Sequence, residues 1–206
     1  VAAMLLDRAG APEYGHAFAR GRLTDFLTHY PSGRWRFAWE AAFPRAFDDV
    51  VAPTSAVVPS ELTWAVMREE SAFRSDARSG ANAVGLMQLM PTTAREIARG
   101  TSLRSDDWAL QLPTVSIPLG TRLLANLRRS FAPPLPIAAY NSGGGAVRRW
   151  LRSLQTTDLD LFVESIPFDE TRNYVKRVLA SQAAYTFLYA TPAFDAFAKL
   201  PLRLAP

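Results

Sequence analysis

Four short stretches of this 206-residue chain carry side chains that could act on a polar substrate. They are residues 69–71 (Glu-Glu-Ser), 85–91 (Gly-Leu-Met-Gln-Leu-Met-Pro), 139–141 (Ala-Tyr-Asn) and 164–168 (Glu-Ser-Ile-Pro-Phe). Two of them offer carboxylates, the groups that most often donate and accept protons in the cleavage of C–O bonds. The other two offer amide and phenol groups that can hydrogen-bond to hydroxyls and amides of a ligand.

Glu69 and Glu70 lie near the end of a predicted helix whose apolar residues fall nearly all round the helical wheel. A helix that is apolar all round is usually buried, and a buried carboxyl is costly unless it is paired or used. An apolar pocket keeps such a carboxyl protonated near neutral pH, so that it can act as a general acid and then a base. The alternative is a solvated pair at a helix end, and the helical wheel does not decide between the two glutamates.

Each of the remaining stretches also has an ordinary structural explanation. Gln88 could bind an amide or hydroxyl of a substrate, or its loop could plug the core with methionines as filler. Tyr140 and Asn141 precede Ser142 and three glycines, where they could contact a ligand or cap a helix. Glu164 is a second candidate carboxylate or an exposed loop glutamate.

The amino-acid composition excludes several classes of chemistry. The chain has no cysteine, which excludes disulfides, thiolate metal ligands and a cysteine nucleophile. Its 2 histidines, His16 and His29, both lie early in the chain, so we expect no His-rich metal site. No stretch approaches the roughly 18 apolar residues that a membrane helix needs, so we expect no integral membrane segment.

The chain is basic, with 23 Lys and Arg against 19 Asp and Glu, and part of the excess is concentrated. Residues 108–157 contain no Asp or Glu but six arginines, namely Arg122, Arg128, Arg129, Arg148, Arg149 and Arg152. Such a charge bias usually indicates a solvent-exposed helix face. The more specific interpretation is a surface that binds an anionic polymer. Aromatic residues are not interleaved with these arginines as in single-strand nucleic-acid grooves, so we expect no nucleic-acid partner.

The elements that must position these residues are mostly predicted to be helices, and the signals for strands are weak. The sequence therefore predicts a mainly α fold. Ser60 is a candidate N-cap for a helix from Glu61 to about Arg74, which carries the glutamate pair. Residues 75–90 predict a loop with a short extended stretch, and Pro91 opens the next helix. Further helices are predicted over 12–19, 23–30, 35–47, 119–127, 136–141, 146–154 and 170–188.

In this order, the motifs resemble those of the soluble lytic transglycosylases, the lysozyme-like enzymes of glycoside hydrolase family 23. The family's Glu-Ser matches Glu70-Ser71, Gly-Leu-Met-Gln-x-Met-Pro matches residues 85–91, and Ala-Tyr-Asn matches residues 139–141. Glu-x-Ile-Pro-Phe-x-Glu-Thr-Arg-x-Tyr-Val matches residues 164–175 at every specified position. The likeness covers about residues 52–190, and four ordered motifs make it highly specific.

The resemblance implies a role for each matched residue. Glu70 is the acid, because the family's acid directly precedes the serine. The residues implied to bind substrate are Ser71, Ser79, Met87, Gln88, Tyr140, Asn141 and Glu164. Among them, Ser79 and Glu164 would orient the N-acetylmuramic acid residue, and Tyr140 would lie against Glu70. The glycines at 143–145 depart from the family, which more often has Ala-Gly and then variable residues, so we expect a looser loop there.

The resemblance also implies the architecture and the activity. Residues 51–206 would form a lysozyme-like α+β catalytic domain with at most a small β element. Residues 1–50 would be the C-terminal remnant of an α-helical superhelix domain, and a chain that does not begin with Met fits a piece of a longer protein. The implied enzyme is a lytic transglycosylase of peptidoglycan glycan strands in the periplasm or cell envelope, which needs no metal or cofactor. A hydrolytic muramidase, a non-catalytic peptidoglycan-binding module and a basic nucleic-acid-binding domain are the alternatives.

Overall fold

A computed structural model describes residues 5–6, 9–154, 156–190 and 203. Within these ranges the chain is helical, and its only β pairings are isolated bridges, two of which lie in the loop after residue 77. The prediction of a mainly α fold with at most a small β element is confirmed. The α-helices are α1 (Pro12–Arg22), α2 (Arg36–Ala42), α3 (Asp48–Val51), α4 (Ser60–Ser71), α5 (Pro91–Ala98), α6 (Pro113–Ser130), α7 (Leu135–Ser142), α8 (Gly144–Leu154), α9 (Leu159–Glu164) and α10 (Asp169–Tyr189).

The chain divides into two compact units, residues 1–119 and 120–206. In the first unit, six consecutive residues of α4, 62–67, are buried. This confirms the expectation from its apolar sequence. The Trp64 indole N–H donates to the backbone oxygen of Ala46 at 3.0 Å, which ties α4 to the segment that precedes it.

The predicted helix from Glu61 to about Arg74 is confirmed to within three residues at either end, but its predicted N-cap is wrong. Pro59 occupies the N-cap position, and Ser60 is the first helical residue and caps nothing with its side chain. The helix ends at Ser71 rather than near residue 74, because Ala72 and Phe73 adopt left-handed backbone angles that cannot continue a right-handed helix.

The short helices before α4 also differ from their predictions. Residues 24–28 form a 3-10 helix, and α2 ends at Ala42 instead of residue 47. Pro44 explains the early end, since proline disfavours the helical conformation of the residue before it, here Phe43. The helices predicted at 12–19, 91–99 and 170–188 are confirmed to within three residues at either end.

In the second unit, α7 packs against α8 and α10. Its core includes Ile137, Val147, Trp150 and Val178, all with less than a tenth of their surface exposed. The expected loose glycine loop is a one-residue turn, since only Gly143, at φ +80°, lies between α7 and α8. Gly144 and Gly145 begin α8 instead.

Across the described ranges, no helix combines the length and the apolar character needed to cross a bilayer.

Candidate active site

Glu70 is the second-to-last residue of α4 and is partly buried. Ser71 ends the helix, and its buried hydroxyl donates to the backbone oxygen of Met67 at 3.1 Å. This bond closes the last helical turn and leaves the Ser71 oxygen able only to accept a hydrogen bond from a ligand. Glu70 thus stands at the end of a buried helix, as the sequence indicated.

Glu69, the neighbouring carboxylate, forms an ion pair with the guanidinium of Arg68. The side chains of Arg68 and Glu69 are only 14% and 9% exposed, so water screens the pair poorly. Arg68 is itself anchored, because its Nε–H donates to the Ala42 oxygen at 3.5 Å and its Cζ lies 4.4 Å from the centre of the Phe43 ring. Glu69 thus has a structural partner beside it on the same helix.

The chain turns sharply directly after Glu70 and Ser71. Ala72 and Phe73 have φ values of +50° and +67°, a region that residues with a side chain rarely adopt. The Phe73 ring is fully buried, and the His16 ring packs edge-on against it with the centroids 5.1 Å apart. Such strain persists only where the surroundings hold it, and here His16 from α1 supplies part of that support.

His16 is buried and uncharged at neutral pH. Burial, with a smaller contribution from the charge of Arg68, lowers its pKa from 6.5 to about 4. The Nδ1–H donates to the Ala42 oxygen at 2.9 Å, and the buried Nε2 has no hydrogen-bond partner within the described residues. Residues of the first 50 therefore support the end of α4 that carries the glutamates.

A tight loop follows in the first unit, closed by isolated antiparallel bridges of Val84 with Arg78 and Leu89. Gly85 within it has φ +79°, and a Cβ at this position would lie 2.0 Å from the Leu110 backbone oxygen. Only glycine fits such a close approach of two backbone segments. This geometry accounts for the glycine that opens the second motif.

Gln88 uses its side chain to hold the same loop. Its amide nitrogen donates to the oxygens of Ala77 at 3.1 Å and Gly85 at 2.9 Å. Both N–H groups are thereby used within the protein, and the amide oxygen is the group that Gln88 can offer to a substrate. Gln88 can therefore bind an amide or hydroxyl of a substrate only by accepting a hydrogen bond from it.

Met87 and Ser79 contribute differently to this loop. The Met87 side chain has no exposed surface, and its backbone N–H donates to the Ser116 hydroxyl at 3.2 Å. In this arrangement Met87 fills the core beneath the loop, which agrees with the filler interpretation rather than with direct contact to a sugar. The partly buried Ser79 hydroxyl accepts the Ala83 N–H at 3.0 Å and can still donate its proton.

In the second unit, Tyr140 and Asn141 lie in the last turn of α7 and are partly buried. The Thr171 hydroxyl donates to Asn141 Oδ1 at 2.6 Å, and Asn141 Nδ2 donates to Glu170 Oε1 at 3.4 Å. Asn141 is thus a hydrogen-bonded link between α7 and α10. The expected contact of Tyr140 with Glu70 stays a prediction.

Glu164 is the last residue of α9 rather than part of a loop. Its exposed carboxylate lies 2.5 Å from the Lys176 ammonium on α10, with the two side chains 60% and 45% exposed. An exposed pair of this kind is easily exchanged for another partner, so Glu164 can turn to a ligand at little cost.

Three residues that hold the candidate site residues in place were not predicted from the sequence. They are Arg68, His16 and Thr171. Arg68 directly precedes the two glutamates, and a cation adjacent to a carboxylate on an apolar helix is a local signal that could have revealed it. His16 gives no local signal, since it acts on Ala42, 26 positions away. Thr171 lies within the matched motif at residues 164–175, but nothing local connects it to Asn141, 30 positions away. No group of three or more His, Asp or Glu side chains suited to a metal ion occurs within the described part of the chain.

Comparison with known families gives two matches. The profile described as Transglycosylase SLT domain matches residues 52–163. The profile described as Soluble lytic transglycosylase helical domain matches residues 165–192. Neither profile reaches residues 1–51, and the division into a superhelix remnant at 1–50 and a catalytic domain at 51–206 stays a prediction.

Individual relatives agree with these profiles. A soluble lytic murein transglycosylase of Escherichia coli is 39% identical over 155 residues, which cover 72% of this chain and 24% of that protein. The chain thus spans about a quarter of the length of this relative. The crystal structure of the 70 kDa soluble lytic transglycosylase from Escherichia coli matches with a TM-score of 0.76 and 31% identity, over 90% of this chain and 29% of that chain. An inactive glutamate-to-glutamine mutant of the lytic transglycosylase Slt from Pseudomonas aeruginosa matches with a TM-score of 0.73 and 33% identity, over 99% and 34% of the two chains.

Proposed function

The chain belongs to the Transglycosylase SLT domain family, and from that premise we propose that it cleaves the β-1,4 bond between N-acetylmuramic acid and N-acetylglucosamine in peptidoglycan. The product would carry a 1,6-anhydromuramic acid end. Glu70 would act first as the acid and then as the base.

The observation that carries this proposal is the position of Glu70, partly buried at the end of the buried helix α4. Glu69 is committed to the shielded ion pair with Arg68. Glu70 follows it, partly buried, where the helix ends in a turn of two residues with left-handed backbone angles. A carboxyl in such a position can donate a proton to a substrate oxygen and later accept one.

The proposed reaction needs a single carboxylate, whereas most glycosidases use two. Protonated Glu70 donates its proton to the oxygen that links the two sugars, and the bond from that oxygen to C1 of the muramic residue breaks. The N-acetyl group of the substrate shelters the electron-poor C1. The C6 hydroxyl of the same residue then attacks C1 and gives its proton to the Glu70 carboxylate. The acid is regenerated and no water is consumed.

The remaining residues would bind and orient the sugars. Ser79 can donate a hydrogen bond, Gln88 can accept one, and Glu164 can exchange its Lys176 partner for a muramic hydroxyl. Met87 and Ser71 would act from beneath the surface by supporting the loop and the helix end. That a relative of this chain was solved as an inactive glutamate-to-glutamine mutant supports a reaction that depends on one glutamate.

Peptidoglycan glycan strands are therefore the proposed partner, and the periplasm or cell envelope is the proposed location. Two of the relatives are named murein transglycosylases, one soluble and one membrane-bound, which supports a murein substrate. No cofactor and no nucleic-acid partner enter the proposal.

Substitution of Glu70 tests the assignment. We expect Glu70→Gln to abolish the release of soluble fragments from sacculi while its circular dichroism and melting temperature stay close to those of the unsubstituted chain. Glu69→Gln is the matched control, since it alters the neighbouring carboxylate and should retain most activity per folded molecule. Full activity of Glu70→Gln, or its loss only in Glu69→Gln, would contradict the role given to Glu70.

The products separate this reaction from hydrolysis. Mass spectrometry should find fragments that are lighter by one water than those released by a muramidase. Fragments with free reducing ends would instead show a hydrolytic muramidase, and binding without any fragments would show a non-catalytic module.

A further inference from the structure

The outward side of α8 in the second unit carries Arg148, Arg149 and Arg152. Their spacing of one and four positions places the three side chains within one sector of about 100° on the helix. All three are exposed, whereas Ala146 and Trp150 on the same helix are buried. One face of α8 is thus packed, and the other presents guanidinium groups to solvent.

Arg129, at the end of α6, belongs to the same surface. Phe131 follows it by two residues, and the guanidinium carbon of Arg148 lies 5.1 Å from the centre of the Phe131 ring. A Cβ on Gly144 would lie 3.3 Å from the same ring, so the start of α8 sits directly against the residues after α6. We call Arg129, Arg148, Arg149 and Arg152 the arginine cluster.

None of the four forms an ion pair with a carboxylate in the described part of the chain. The Arg129 guanidinium donates to the neutral side chain of Asn126 at 3.2 Å, and Arg148 lies over an aromatic ring. A face that serves only solubility usually mixes both signs of charge, yet residues 108–157 contain no acid at all. The cluster is therefore a concentrated positive surface without an internal counter-charge.

The side-chain type indicates the ligand. All four cations are arginines, whose planar fork binds carboxylates through two parallel hydrogen bonds, and residues 108–157 contain no lysine. In peptidoglycan the glycan itself is uncharged once each lactyl group carries a peptide, so the anionic groups of a strand are the carboxylates of its stem peptides. We propose that the arginine cluster binds the stem-peptide carboxylates of the substrate strand, an inference that rests on the proposed function.

Binding measurements on two strands of equal length, one with stem peptides and one from which an amidase has removed them, test this. The probe strands are fluorescently labelled, and anisotropy is recorded in a Glu70→Gln background so that no strand is cleaved. The cluster variant combines Arg148→Gln, Arg149→Gln and Arg152→Gln. The matched control combines Arg22→Gln, Arg34→Gln and Arg95→Gln, which removes the same charge from exposed positions of the first unit.

We expect the cluster variant to bind peptide-bearing strands about tenfold more weakly, with a reduced dependence on salt, because exposed charge contacts contribute modestly and are screened. Both variants should bind denuded strands like their Glu70→Gln parent. Equal weakening on both strands, or equal weakening by the control variant, would overturn the inference, as would a loss confined to anionic phospholipid vesicles or DNA.

Product analysis of the unsubstituted chain is run in parallel. Absence of anhydro ends would count against the proposed function, while a peptide-dependent loss of binding in the cluster variant would still support the arginine cluster. The two failures are therefore distinguishable.

Discussion

The two compact units use charge in opposite ways. Residues 1–119 contain 12 Lys and Arg against 13 Asp and Glu, whereas residues 120–206 contain 11 against 6. The positive charge of the chain therefore comes entirely from the second unit. In the described part of the first unit, five arginines form ion pairs with acids of the same unit, and one pair, Arg68 with Glu69, is shielded from water.

In the described part of the second unit, the ion pairs are Glu164 with Lys176 and Asp169 with Arg172, and in each pair the carboxylate side chain is at least 60% exposed. The arginine cluster has no carboxylate partner in the described ranges. Charges that are paired inside a fold hold that fold, while charges left at the surface are available to a ligand. The comparison suggests that the first unit uses charge to position Glu70 and the second uses charge to bind.

Removal of the buried cation should produce the largest effect. We expect Arg68→Met to lower the free energy of unfolding by about 3 kcal/mol, because it removes the cation of an ion pair that is shielded from water. Urea denaturation at pH 7.5 measures this. Activity should fall further than the folded fraction explains, since Arg68 also anchors the helix end next to Glu70.

Two variants sharpen that result. The double substitution Arg68→Met with Glu69→Met should regain most of the lost stability, because an apolar pair of similar volume replaces both charges. Arg104→Met removes an arginine from an exposed pair with Asp106 and should change stability little. If Arg68→Met is no more destabilising than Arg104→Met, the first unit does not depend on its shielded pair and the comparison fails.

The buried histidine should give the next largest effect, and only at low pH. Burial holds the pKa of His16 near 4 in the folded chain, against 6.5 in the unfolded one. Between these values the unfolded chain binds a proton that the folded chain does not, so stability is retained above pH 6.5 and falls as pH is lowered. At pH 5 the loss is roughly 2 kcal/mol relative to pH 7.5.

Burial has the largest part in this response, and the charged groups that face His16 modify it. Arg68 and Arg20 disfavour its protonation, and Glu69 weakly favours it. In His16→Gln the difference between urea denaturation at pH 7.5 and pH 5 should shrink by about that amount, whereas His29→Gln, at the exposed second histidine, should leave it unchanged. An unaltered pH response in His16→Gln would show that other groups carry it.

These contrasts also show what the sequence could and could not predict. The helices were predictable where the signal is local, as in the apolar run of α4, the proline that opens α5 and the long periodic pattern of α10. The glutamate, the glycine loop and the late carboxylate could be found because short motifs contain them. Helix ends were less predictable, since the left-handed turn at Ala72 and Phe73 is formed by residues that do not favour it.

Support from distant residues could not be predicted. His16 contacts Ala42, 26 positions away, and Asn141 bonds to Thr171, 30 positions away, and no local pattern connects either pair. The burial of Met87 could not be predicted for a similar reason, because its loop packs against the distant residues Leu110 and Ser116. Tertiary packing thus decided which motif residues point outward and which support them from within.

The smallest effect on stability is expected at Glu164, where the comparison between the units can be tested directly. Glu164→Gln should change the free energy of unfolding by less than about 1 kcal/mol, since the pair with Lys176 is exposed. Its activity on peptidoglycan should nevertheless fall by about tenfold, because the proposed hydrogen bond to the muramic residue loses its charge. Lys176→Met breaks the same ion pair but keeps the carboxylate, so it should retain activity. If both variants lose activity equally, the ion pair rather than the carboxylate is what matters, and the second unit would use this charge as the first unit does.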